Sequence, residues 1–205
     1  MIFSKEDIDK VLANSSSLVI GMGWGKSEEY KKILEYIFAN FDKPIVIDAD
    51  GINILSEMDY NLIKNYKSKV ILTPHLREFS RLTNLDGHTI LSNPVETVRN
   101  FAKNNNCIVL LKGNTSIVSD GNLVYLVDRG CSGMATAGSG DVLSGILGAL
   151  LASNEANLLT VATASYINGL AGEEAEKEVG SVSLIASDTI RKIPMVIKKM
   201  SIDNK

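Results

Sequence analysis

Two cysteines, Cys107 and Cys131, and two histidines are all that this 205-residue chain has of the soft metal-binding side chains. Neither cysteine belongs to a CxxC pair or lies near a pair of histidines, so neither a zinc site nor a disulfide framework is indicated. Cys107 opens the apolar run Cys107-Ile-Val-Leu-Leu111 and reads as a small buried hydrophobe. Cys131 sits in a glycine-rich loop with no adjacent cation to activate its thiol. An excess of positive charge is missing too. The formal net charge is -3, and no basic stripe stands out, which argues against nucleic acid or an anionic membrane surface as partner. No apolar run reaches the roughly 18 residues of a membrane span, and Met1-Ile-Phe-Ser-Lys-Glu-Asp-Ile-Asp9 carries acids where a signal peptide needs bases. A cytoplasmic location is expected.

What is present is a hydrophobic content of 45%, enough in a chain of 205 residues to build a sizeable core without covalent staples. Short β-branched runs alternate with longer amphipathic segments, the pattern of an α/β fold whose mostly parallel sheet carries helices on both faces. Strands are predicted over Leu18–Ile20, Pro44–Ile47, Lys69–Leu72 and Ile108–Leu111, and a hairpin over Ser116–Ser119 and Leu123–Val127. Helices are predicted over Ser27–Asn40, Val95–Asn104, Ser139–Ala152, Thr160–Val179 and Ser187–Met200. The helix from Ser139 is apolar almost all round. Burial is therefore expected for it, with Gly145 and Gly148 permitting close approach. No internal repeat, low-complexity segment or linker interrupts the chain, so residues 1–205 are read as one domain.

The densest chemistry lies in Gly130-Cys-Ser-Gly-Met-Ala-Thr-Ala-Gly-Ser-Gly-Asp141, which runs straight into that helix. Gly138 and Gly140 free the backbone of Cβ interference, and a helix beginning at Ser139 offers unpaired first-turn N–H groups and a positive dipole end. Phosphate suits such a place; a carboxylate beside it repels phosphate unless it has a task. Proton removal from a hydroxyl that attacks a phosphoryl group is the task that fits Asp141. An acid in a helix's first turn is also favourable on dipole grounds alone, and glycines before a helix also serve plain tight turns.

In open α/β sheets ligands bind beyond the carboxyl ends of the strands. Four such ends here are distinctive: Gly21-Met-Gly-Trp-Gly25, Asp48-Ala-Asp-Gly-Ile-Asn53, Leu72-Thr-Pro-His-Leu-Arg-Glu-Phe-Ser-Arg-Leu82 and Leu111-Lys-Gly-Asn-Thr-Ser116. Together with Gly133-Met-Ala-Thr-Ala-Gly-Ser-Gly-Asp141, in this order and spacing, they resemble the ADP/ATP-dependent NAD(P)H-hydrate dehydratase family, a branch of the ribokinase-like fold. The resemblance runs from about Asn14 to Met200.

It implies a three-layer ribokinase-like architecture and a nucleotide-dependent dehydration of hydrated NADH or NADPH. Asp141 would be the base, and the amides around Gly138, Ser139 and Gly140 the anion hole for the transferred phosphoryl group. Lys112, Gly113, Asn114, Thr115 and Ser116 match the loop that binds ATP or ADP, with Mg2+ carried on the nucleotide. A lysine at a strand end also suits phosphate physically. His75 matches a histidine that contacts the hydrated nicotinamide, although a histidine here also suits a helix cap. Asp50 and Asn53 match a substrate-facing loop, and Gly23 and Gly25 a loop lying against substrate phosphates or ribose; ordinary turn chemistry also accounts for these residues. A homo-oligomer, a tetramer by resemblance, is implied.

The chain departs from the family pattern in places. A leading block with a strand, a glycine-rich turn and an alanine-rich helix is absent, so an N-terminally truncated domain is expected. Met22 replaces a usual proline, Leu76-Arg77 a usual Pro-Gly, and Cys131-Ser132 a usual Asn-Pro. Arg77 beside His75 would hold substrate phosphate or block the site. Two other readings remain open on the residues: a small-molecule kinase acting on an alcohol, and a noncatalytic nucleotide-binding chain.

Overall fold

The computed structural model describes residues 4–25 and 27–203. Six strands form one sheet in the order β1-β2-β3-β4-β5-β6: β1 (Leu18–Ile20), β2 (Ile45–Ile47), β3 (Val70–Leu72), β4 (Ile108–Leu111), β5 (Ser116–Ser119) and β6 (Val124–Val127). The first four are parallel and the last two antiparallel. The hairpin follows because Asp120 and Gly121 close a turn that needs positive φ, with Gly121 at φ 92°.

Strand order equals chain order, and that dictates the layering. Crossovers between parallel strands are right-handed, so strands added in one direction put every connection on the same face. That face receives α1 (Lys5–Asn14), α2 (Glu28–Asn40), α3 (Asp50–Leu55), α4 (Asn61–Lys64), α5 (Leu76–Thr83), α6 (Gly87–Ser92) and α7 (Pro94–Asn105). The opposite face is covered only after the sheet is finished, by α8 (Ser139–Ser153), α9 (Leu158–Val179) and α10 (Ala186–Asp203). Pleating sorts the core accordingly: Ile45 and Ile47 pack with the first set of helices and Val46 with the second. Each such side chain, fully buried, contributes about 1.5–3 kcal/mol.

All six strands and five helices predicted from periodicity are present within two or three residues. Periodicity does not reach α1, of which Leu12 alone is buried, nor the short helices α3 and α5 that open directly from strand ends. The expected burial of α8 holds for Val142, Leu143, Ile146, Leu147 and Leu151. Gly148 lets the helix touch β1, since a Cβ there would stand 2.4 Å from Val19 Cγ2. Gly145 differs from expectation: a Cβ there would meet nothing within 4 Å, because this side of α8 faces an open groove of about 670 Å³ shared with α10.

Ala49, between β2 and α3, has φ 50° and ψ -121°, a conformation that only glycine adopts without strain. The turn it makes aims Asp48 and Asp50 apart. Strain of about 1–3 kcal/mol exceeds the extra chain entropy of a glycine, about 0.5–1 kcal/mol. Ala49→Gly is therefore expected to stabilise the fold by about 1 kcal/mol in chemical denaturation; a loss of stability would show the backbone to be relaxed there.

Candidate active site

The carboxyl ends of β1 to β4 open on one side of the sheet, and the N-terminus of α8 is delivered to the same side. Gly138 caps α8 with φ 86°, which its lack of a Cβ permits. Ser139, Gly140 and Asp141 form the first turn. Asp141 is exposed and borders the α8–α10 groove, with Gly138, Val142 and Ala186 beside it. The Ser139 hydroxyl oxygen is buried and has no hydrogen-bond partner among the described residues.

Behind this turn lies a buried ionic cluster. Asp48, 2% exposed at the end of β2, accepts from Lys112 Nζ at 2.8 Å, from Ser144 Oγ at 2.9 Å and from the Ala49 N–H at 2.8 Å. Gly140 packs on the pair: a Cβ there would sit 3.5 Å from Asp48 Oδ2 and 3.7 Å from Lys112 Nζ. Lys112 is also fixed by its backbone, whose N–H donates to the Pro74 carbonyl at 2.8 Å. Of the loop 112–116, Lys112 thus reaches the glycine turn. Asn114 is exposed, Gly113 bends close to the Thr115 carbonyl, the Thr115 hydroxyl faces Asp128 at 3.5 Å, and Ser116 starts β5.

His75 is the N-cap of α5. Its Nδ1 accepts from the N–H groups of Arg77 and Glu78 at 3.1 and 3.2 Å, while Glu78 Oε2 accepts from the His75 N–H at 2.8 Å, a reciprocal capping box. Nδ1 is therefore committed, and Nε2 lies 3.3 Å from Glu78 Oε1 on a side chain that is half exposed. Burial pushes the Glu78 carboxyl above the ordinary glutamate range, against the opposing pull of the His75 N–H, of Lys112 and of the imidazole. Arg77 is exposed and donates its backbone N–H to this cap.

Gly23 and Gly25 take φ 70° and 71° on the exposed loop after β1, with open space where a Cβ would be. Asp50 Oδ2 accepts from the Gly25 N–H at 2.8 Å, which ties this loop to the start of α3. Asn53, one turn on, accepts from Arg81 of α5 at 2.7 Å. Gly21 and Gly51 make the underlying closeness possible, since a Cβ on Gly21 would fall 2.1 Å from the Asp48 carbonyl oxygen.

Three contributors are not apparent from the sequence reading: Asp48 as counter-ion, Ser144 as its second donor, and Arg81 as the partner of Asn53. An acid that ends a wholly apolar strand, and a lone hydroxyl on an otherwise apolar helix face, are the signals that mark the first two. The two thiols are unactivated. Burial pushes Cys107 up to about 12, and burial together with the Glu176 carboxylate raises Cys131 as well.

A sequence model of a family described as NAD(P)H-hydrate dehydratase matches residues 3–195. The chain belongs to that family. It is 36% identical over 185 residues to an ADP-dependent (S)-NAD(P)H-hydrate dehydratase of Cenarchaeum symbiosum, covering 89% of this chain and 62% of that protein. It is also 36% identical over 195 residues to a bifunctional NAD(P)H-hydrate repair enzyme of Hyperthermus butylicus, covering 91% of this chain and 35% of the relative. The chain thus spans between about a third and three fifths of these relatives' lengths. A ribokinase-like superfamily protein of Enterococcus faecalis superposes with a TM-score of 0.84 at 25% identity, over 95% of this chain and 68% of that one. The ribokinase-like fold expected from the strand-end loops is thereby established.

The raised Glu78 carboxyl has a consequence for stability. A carboxyl whose folded value lies above its ordinary 4.5 contributes stability that is complete below that pH and is lost as pH rises through the folded value. The isosteric Glu78→Gln keeps the acceptor for the His75 N–H and lacks the titration. Wild type should therefore gain in Tm relative to Glu78→Gln at about pH 4 and lose that advantage towards pH 8, measured by calorimetry. An advantage that grows with pH would show that the charged carboxylate is the form the fold favours.

Proposed function

We propose that this member of the NAD(P)H-hydrate dehydratase family uses ADP or ATP to dehydrate hydrated NADH or NADPH, with Asp141 as the base. The observation that carries the reading is Asp141 itself, exposed on the first turn of α8, three residues after the Gly138 cap and bordering a groove. Hydroxide leaves carbon poorly near neutral pH. When Asp141 takes the proton of the ring hydroxyl, that oxygen attacks the terminal phosphoryl of the nucleotide, the bond to the bridging oxygen breaks to release ADP from ATP or AMP from ADP, and the ring carries a phosphate ester. The lone pair of the ring nitrogen then expels phosphate, and the iminium cation so formed loses a proton from the adjacent ring carbon to water, which restores the dihydronicotinamide.

The N–H groups of Gly138, Ser139 and Gly140 serve as the anion hole for the moving phosphoryl group, that of Ser139 by giving up its 3.4 Å bond to the Thr136 carbonyl. The buried, unpartnered Ser139 hydroxyl supports this assignment, because an unsatisfied buried hydroxyl costs about 1–3 kcal/mol and a phosphoryl oxygen would satisfy it. In this reading Lys112 and Gly113 to Ser116 line the nucleotide, and Gly23, Gly25, Asp50, Asn53 and the exposed edge of His75 line the substrate. Among the described residues no group of three or more His, Cys, Asp or Glu side chains is arranged to hold a metal. Mg2+ would come with the nucleotide, as the family resemblance implies, and would there offset phosphate charge.

Residues 1–205 act in this proposal as one ribokinase-like domain in the cytoplasm, free of nucleic-acid and membrane partners. It assembles into a homo-oligomer, a tetramer by family resemblance. The edge strand β6 and the adjoining face of α9, where Leu126 and Leu159 are each 60% exposed, suit contact with another copy.

Asp141→Asn should lower turnover by roughly 100- to 10,000-fold while Tm and nucleotide affinity stay near wild type. The assay follows regenerated NADH from NADH hydrate with ATP or ADP. Retained turnover would refute the base assignment. Wild-type phosphorylation of sugar or vitamin-precursor alcohols in preference to the hydrate would identify a kinase, and nucleotide binding by calorimetry without any turnover would identify a noncatalytic chain.

A further inference from the structure

The family roles discussed above leave Asp48 without a function, yet it is the most enclosed charge at the site. Three donors from three elements converge on it: the Lys112 ammonium from the end of β4, the Ser144 hydroxyl from the second turn of α8, and the Ala49 N–H from the start of α3. A carboxylate 2% exposed is desolvated, so its grip on a cation is far stronger than that of a surface pair. The Lys112 side chain, by contrast, keeps 23% of its surface open. The ammonium is thus held by a buried carboxylate while the lysine side chain as a whole stays partly open.

Its location gives that holding a purpose. A Cβ on Gly140 would lie 3.7 Å from Lys112 Nζ, so the cation sits directly under the first helical turn that carries Asp141. Left alone, a lysine on a four-carbon stem would spread over many rotamers and follow whatever anion lay nearest. Two strand ends and one helix turn confine it instead. We infer that Asp48 is a positioning residue: it anchors the Lys112 ammonium beneath the glycine turn, so that the anion hole has a fixed positive charge behind it before nucleotide arrives. Ser144 holds the second carboxylate oxygen and keeps the anchor from rotating. Preorganised charge of this kind acts on the transition state more than on binding, because it does not have to reorganise as charge develops.

Accessibility of Lys112 is a readout that does not require catalysis. The lysines are labelled competitively with a small acylating reagent and scored by peptide mass spectrometry. In wild type Lys112 should react at least about tenfold more slowly than exposed Lys10, and in Asp48→Asn that protection should disappear. Should Asp48→Asn fail to fold, Ser144→Ala loosens the same carboxylate without leaving Lys112 unpaired and should raise the Lys112 rate about threefold. An unchanged rate in the folded variant overturns the inference.

The kinetic arm rests on the proposed dehydration. Asp48→Asn should lower kcat by about 30-fold or more with the nucleotide KM within about threefold of wild type, Lys112→Met should lower kcat by at least as much, and the double variant should lose no more than the worse single one. Losses that multiply, or a kcat within threefold of wild type in Asp48→Asn, overturn the positioning role. Absence of wild-type turnover would strike the proposed function instead, and the labelling arm would still decide the role of Asp48.

Discussion

The contact between Asp48 and Lys112 is where the two halves of the fold meet. The strand ends of β2 and β4 belong to the layer built by sequential crossovers, whereas Ser144 and Gly140 belong to the layer added after the sheet is complete. A buried ion pair with a third hydrogen bond joins them. Truncating one member of such a pair costs about 3–5 kcal/mol, because the other charge is left desolvated and unpaired. The start of α8 is therefore tied to the strand ends through Ser144 and Gly140.

Sequential strand order explains why this end of the sheet collects the chemistry. With β1 to β4 parallel and in chain order, four consecutive loops line up along one edge. Cross-links between neighbouring loops then hold them in register: Gly25 to Asp50, Asn53 to Arg81, and Lys112 to Pro74. Opposite these loops lies the positive end of the α8 dipole, where the Ser139 N–H donates to the Thr136 carbonyl at 3.4 Å. Asp141 stands exposed on this turn, whose Gly140 packs close to the Lys112 ammonium.

Much of this was legible in the residues. Strands announced themselves through β-branched runs, and the glycine turn with its acid stood out as a place for an anion, while Gly138 at φ 86° and the close packing of Gly140 show that the turn also has structural reasons for its glycines. The less legible parts depend on tertiary neighbours. His75 looked like a substrate ligand or a helix cap; its Nδ1 turns out to cap α5, and only its remaining edge is available to a ligand. Helix α3 was hidden because it starts with Ala49 at positive φ, which no local propensity favours. Lys112 read as a nucleotide contact, yet its nearest charge is a carboxylate 64 residues earlier in the chain, which spacing alone does not reveal. Gly145 read as a packing glycine, but it borders open space.

The central claim is that a ring hydroxyl attacks phosphorus and leaves carbon as part of phosphate, and the fate of that oxygen tests it most directly. Hydrated NADH carrying 18O in the ring hydroxyl would be incubated with the protein and nucleotide, and the inorganic phosphate analysed by mass spectrometry. The account predicts that each phosphate released carries one labelled oxygen, matched to the NADH formed. Label recovered in water, with unlabelled phosphate, would mean that the carbon–oxygen bond breaks without phosphorylation and would contradict it.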